Sequence, residues 1–98
     1  MKYITVSELK EKLNQSEPKV EVIDIREEYE YEDDNCGWKN IPMAQILPRV
    51  NEIPKDKEVV FVCISGKKAS AIVSTLERKF KLDNLSVLEG GYTEYSQS

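Results

Sequence analysis

With 98 residues, the chain is the length of one domain, and its 40% hydrophobic and 33% charged residues are those of an ordinary globular fold rather than a disordered segment. The formal net charge of −4 argues against a nucleic-acid ligand, whose phosphates need a basic stripe. Histidine is absent, which removes imidazole metal sites and every Cys-His or Ser-His-Asp device for activating a nucleophile. Neither a metal nor another cofactor is expected.

Thr5-Val6-Ser7-Glu8 has the form of a capping box, and Val6, Leu9 and Leu13 fall on one face of a helix running to about Asn14. Glu17-Pro18 ends that pattern, and the β-branched run Val20–Ile25 predicts a strand that emerges at the polar edge Asp24-Ile25-Arg26-Glu27. A short helix is expected over Glu27–Glu32. The acidic residues Glu27, Glu28, Glu30, Glu32, Asp33 and Asp34 form either a solvated face or a docking patch for a basic partner protein. After a turn over residues 35–40, Ile41-Pro42 predicts a very short strand. Ile46, Leu47, Val50 and Ile53 predict a helix over Gln45–Ile53, with Pro48 tolerable only in its first turn.

Pro54–Lys57 is turn-like, and Glu58–Cys63 is a nearly unbroken apolar strand of the kind buried on both faces. Ala69, Ile72, Val73 and Leu76 then give a helical face ending near Phe80. Leu85–Leu88 predicts a last strand, Glu89-Gly90-Gly91 a turn, and Tyr92–Gln97 a terminal helix. Alternating strands and helices of this kind imply one α/β domain over residues 1–98, with a mainly parallel sheet between two helical layers and a ligand site beyond the carboxyl ends of its strands. The apolar runs are strand-length, too short to cross a bilayer, so no membrane span is expected. The first residues lack a signal-peptide pattern and the cysteines number only two, so the expected address is the cytoplasm.

The chemistry points to Cys63-Ile64-Ser65-Gly66-Lys67-Lys68, where a cysteine leaves a buried strand and meets a helix N-terminus across a glycine-containing loop. Loop N–H groups that turn inward, the positive end of the helix, and the ammonium groups of Lys67 and Lys68 would each favour an ionised sulfur and cradle an anion. A buried cysteine that only packs is the plain alternative. Cys36 has the acidic neighbours Asp33 and Asp34, which make it a poor nucleophile and point to a structural or incidental role. Trp38 is expected to pack rather than to bind a ligand.

In this order the elements resemble the rhodanese family over nearly the whole chain. The similarity runs from the Thr5/Glu8 helix opening through Ile23-Asp24-Ile25-Arg26-Glu27 with Tyr29 and Tyr31, the Ile41-Pro42-Met43 step and the Cys63 loop to Leu88-Glu89-Gly90-Gly91. The region from Cys36 to Pro42 is similar to rhodanese domains appended to enzymes that activate sulfur-carrier proteins. The resemblance implies a five-stranded parallel sheet and a sulfurtransferase in which Cys63 takes sulfane sulfur from thiosulfate, a small persulfide or a persulfide-carrying protein. The sulfur would then pass to a thiol or to cyanide. Asp24 and Arg26 are expected behind the loop, bonding groups at the strand ends, or else as a local surface ion pair.

This sequence departs from the family pattern at Lys68, where arginine is frequent. An ammonium grips an oxyanion as a point charge rather than through paired hydrogen bonds, which puts thiosulfate turnover in doubt. The Gly-His-Ile motif common in the family is missing, and Tyr95 stands in place of a tryptophan. Two rival readings stay open: a binding module that keeps the fold without catalysis, and phosphatase or arsenate-reductase chemistry on the same scaffold. Against the second, related phosphatases have a loop one residue longer that ends in arginine.

Overall fold

Side-chain alternation along the strand beginning at Glu58 decides which residues meet which helical layer. Val59 and Phe61 face one side of the sheet, Val60 and Val62 the other, and all four are fully buried. A computed structural model describes residues 1–98. In chain order it contains β1 (Lys2–Ile4), α1 (Val6–Leu13), β2 (Val20–Asp24), α2 (Glu28–Asp33), β3 (Lys39–Asn40), α3 (Met43–Ile46), a 3-10 turn (Val50–Glu52), β4 (Glu58–Val62), α4 (Lys67–Phe80), β5 (Leu85–Leu88) and α5 (Gly91–Ser96).

The strands form one five-stranded sheet in the order β1-β5-β4-β2-β3, and every pairing is parallel. Val22 lies opposite Val60, and Phe61 opposite both Ile23 and Val87. On one face, Ala69, Ile72, Val73 and Leu76 of α4 and Ile46 of α3 pack on Ile23, Val59, Phe61 and Val87. On the other, Val6 and Leu9 of α1 and Tyr92 of α5 pack on Val22, Val60, Val62 and Leu88. Each of the Val, Leu, Ile and Phe side chains among these contributes about 1.5–3 kcal/mol on burial, so the two clusters clamp the sheet from both sides. The expected α/β/α layering and five-stranded sheet are therefore the observed ones. No helix is long and apolar enough to cross a membrane.

The N-terminal capping box forms as read: the Glu8 amide donates to Thr5 Oγ1 and the Thr5 amide to Glu8 Oε1. Strand β1 has no signal in the sequence, because three residues at a sheet edge carry too little pattern to register. Two local expectations need correction. The short strand over Ile41-Pro42 is instead Lys39–Asn40. Ile41 and Met43 still donate to the Asp24 and Ile25 carbonyls, but the Arg26 amide turns back to the Asp24 carboxylate, so the ladder does not continue. The helix over Gln45–Ile53 is two shorter pieces, α3 and the 3-10 turn, since Pro48 cannot donate an i→i−4 bond. Its apolar side chains Ile46 and Ile53 are nonetheless buried.

Candidate active site

A parallel sheet brings the carboxyl ends of its strands to one edge, and the residues following β2, β4 and β5 meet there. Cys63 is the first residue past β4 and is 3% exposed. Its Sγ accepts N–H groups from Gly66 at 3.0 Å and from Ala69 in the first turn of α4 at 3.3 Å. Gly66 takes φ +95°, the left-handed conformation that lets the loop curl back over the sulfur, and a Cβ there would lie 3.2 Å from the Leu88 carbonyl oxygen.

The loop is held from behind by α5. The Tyr92 amide donates to the Cys63 carbonyl at 2.7 Å and the Thr93 amide to the Ile64 carbonyl at 3.2 Å. Those two peptide units are trans, so the N–H groups of Ile64 and Ser65 run antiparallel to the anchored carbonyls and face away from α5; neither donates to another group of the chain. Gly91 makes this seat possible. At its φ of +60° a Cβ would come within 2.3 Å of the Cys63 carbonyl oxygen and 2.4 Å of that of Ile64. The sequence showed Gly90-Gly91 as a turn but not as the support of the cysteine loop. The donors themselves, including the Ala69 amide, are backbone groups that no residue type announces.

A cavity of about 100 Å³ opens in front of Cys63, lined by Ile25, Arg26, Met43, Ile64, Ser65, Lys68 and the carboxylates of Glu27, the N-cap of α2, and Glu30. Lys68 is exposed and forms no salt bridge, leaving its ammonium free to meet an anion. Lys67 is placed elsewhere: with Tyr3 and Ser70 it lines a separate cleft of about 310 Å³ behind the loop. Ile64 and Ser65 are exposed at the rim. A larger cleft of about 560 Å³ lies at the opposite end of the sheet, where Lys12 and Glu58 pair at 2.6 Å; it contains no nucleophilic thiol.

Asp24 and Arg26 form a buried ion pair rather than a surface one, with side chains 0% and 4% exposed. Arg26 Nε and Nη2 both donate to the Asp24 carboxylate at 2.9–3.0 Å. The same guanidinium donates to the Asp34 carbonyl at 2.7 Å and to that of Glu30 at 3.5 Å, and it covers the Tyr92 ring at 3.8 Å. Burial opposes the Arg26 charge, yet the hydrogen bonds and negative charge of Asp24 outweigh it and hold the guanidinium above its usual range. The pair thereby ties β2 to the middle of α2 at Glu30 and to its C-cap at Asp34, and braces the Tyr92 ring at the start of α5.

Cys36 is exposed, with its thiol 3.9 Å from the Tyr92 hydroxyl. Burial, followed by contacts with Cys36 and Asp34, pushes the Tyr92 phenol well up from its ordinary value. Trp38 stands edge-on to Tyr95 at 4.9 Å and to Tyr92 at 6.4 Å, in the packing role expected. Asn40, which the sequence did not single out, donates to the carbonyls of Asp24 and Arg26 and fixes the exit of β2.

The family model of the rhodanese-like domain matches residues 5–98. The chain is 35% identical over 78 residues to the uncharacterized protein YqhL of Bacillus subtilis, covering 79% of this chain and 61% of YqhL. It is 34% identical over 93 residues to YtwF of the same organism, provisionally named a sulfurtransferase, covering 93% of this chain and 86% of YtwF. The crystal structure of a rhodanese-like domain protein from Staphylococcus aureus superposes with a TM-score of 0.87 at 32% identity, over 97% of this chain and 91% of that one. This chain belongs to the rhodanese-like domain family.

Proposed function

We propose that the protein is a sulfurtransferase that carries sulfur as a persulfide on Cys63. The observation that carries this reading is the pair of N–H groups aimed at Cys63 Sγ at the floor of an open cavity. Such donors stabilise negative charge on sulfur, and the thiolate is the nucleophilic form of cysteine. With thiosulfate, the thiolate attacks the outer sulfur, the S–S bond breaks, and sulfite leaves with the bonding pair. With a persulfide donor, a thiolate leaves instead. An acceptor thiolate or cyanide then attacks the terminal sulfur of the Cys63 persulfide and regenerates the thiolate.

The Ile64 and Ser65 N–H groups and the Lys68 ammonium supply the charge that would hold an anionic donor or the persulfide. Thiosulfate is a poor match, because Lys68 faces it as a point charge and Glu27 and Glu30 stand in the same wall. A persulfide on a small thiol or a protein is the better fit. The test is thiocyanate formation from cyanide with a persulfide donor. Wild-type protein turns over and Cys63→Ala does not; equal activity in the variant, or none in either with every donor, would return the site to a binding role.

A further inference from the structure

The Cys63 cavity does not end at its own walls. A groove of about 450 Å³ shares Arg26, Glu30 and Ile64 with it and extends the site along α2. Its apolar surface is supplied by Tyr29 and Ile64, which are 72% and 43% exposed, and by Tyr92. Its charged wall is Glu30, Asp33 and Asp34, none of which forms a salt bridge. Arg26 is the single cation lining the groove, and its charge is matched by buried Asp24. The field along the groove is therefore negative, whereas the far end at Cys63 presents amide donors and Lys68.

This division of charge separates the sulfur from whatever carries it. A free dianion at the cavity meets Glu27 and Glu30 in its wall, while a cationic chain is drawn to the carboxylates of the groove. Resting on the sulfur-transfer reading above, we propose that this groove docks a basic segment of a partner protein whose cysteine persulfide is the donor to Cys63. Lysine or arginine head groups of the segment pair with Glu30, Asp33 and Asp34, and their aliphatic stems cover Tyr29 and Ile64. The terminal sulfur enters the smaller cavity. There the Cys63 thiolate attacks it, the donor S–S bond breaks, the donor cysteine leaves as a thiolate with the bonding pair, and the transferred sulfur keeps its proton.

The experiment compares two synthetic peptides of equal length, each with one cysteine persulfide, flanked by lysine in one and glutamate in the other. Free cysteine persulfide serves as the small donor. The readout is the second-order rate of sulfur loading on Cys63 of the full chain. The lysine peptide is expected to be faster by a factor on the order of ten or more at low ionic strength, with the advantage shrinking as salt rises. In Asp33→Asn/Asp34→Asn the lysine-to-glutamate rate ratio falls several-fold, whereas Glu28→Gln/Glu32→Gln, outside the groove on the same helix, keeps it. Equal rates for the two peptides, or an equal loss in both variants, would overturn the groove assignment and leave sulfur transfer standing. Failure of every donor, free cysteine persulfide included, would sink sulfur transfer and the groove with it.

Discussion

At the scale of single residues, the site depends on two that have no side chain. Gly66 and Gly91 hold left-handed backbone where the loop must pass close to β5 and α5. Gly91→Ala sets a methyl against the Cys63 and Ile64 carbonyls and displaces the loop that aims amides at Sγ. A displacement of about 1 Å at a reacting centre costs on the order of a hundredfold in rate. We expect sulfur transfer by Gly91→Ala to fall by about that factor, as measured by thiocyanate release from the loaded protein. Activity within twofold of wild type would mean that α5 does not set the loop. The placement of Cys63 is legible in the sequence, because it ends an apolar strand just before a glycine and a helix. The split between Lys67 and Lys68 is not, since neighbours in sequence at a helix start point in directions that only the fold decides.

Elements were read best where a long stretch repeats one period. Helix α4 buries the four side chains predicted for it, and β4 is apolar on both faces as read. Short elements were read worst. Strand β3 is two residues long, too short for a pattern to place, and Pro48 splits the helix expected over Gln45–Ile53, because a missing N–H acts over one turn while apolar periodicity is averaged over several. The end of α4 is also imperfect: its C-cap is Lys81 at φ +58°, a conformation that costs a residue with a Cβ about 1 kcal/mol. Lys81→Gly is therefore expected to stabilise the protein by about 0.5–1 kcal/mol, seen as a higher urea midpoint at unchanged slope. A lower midpoint would show that Lys81 makes contacts that outweigh its backbone strain.

For the whole molecule, the sheet separates a chemical edge from a structural one. The carboxyl end gathers Cys63, the Asp24–Arg26 pair and the acidic α2, while the opposite end is closed by Lys12, Glu58 and Ser86. Burial alone would raise the Glu58 carboxyl, but hydrogen bonds from Lys12 and Ser86 lower it below its ordinary 4.5. Glu52, held by Arg49 and Lys39, lies at about 2. Both are lowered in the folded chain, so their contribution to stability is complete above about pH 4.5 and is lost as pH falls through the folded values. Urea midpoints should accordingly be flat above that pH and decline below it, with a smaller total decline in Lys12→Gln, where the Glu58 carboxyl is lowered less. A decline of unchanged size in that variant would remove Lys12 as the cause.

If the protein is a sulfurtransferase of the proposed kind, sulfur is carried on Cys63 and not on Cys36. Incubation with a persulfide donor, alkylation under non-reducing conditions and peptide mass spectrometry locate the added sulfur. One extra sulfur is expected on the Cys63 peptide, with a plain alkylated thiol at Cys36. Sulfur on Cys36 with Cys63 unmodified would overturn the assignment.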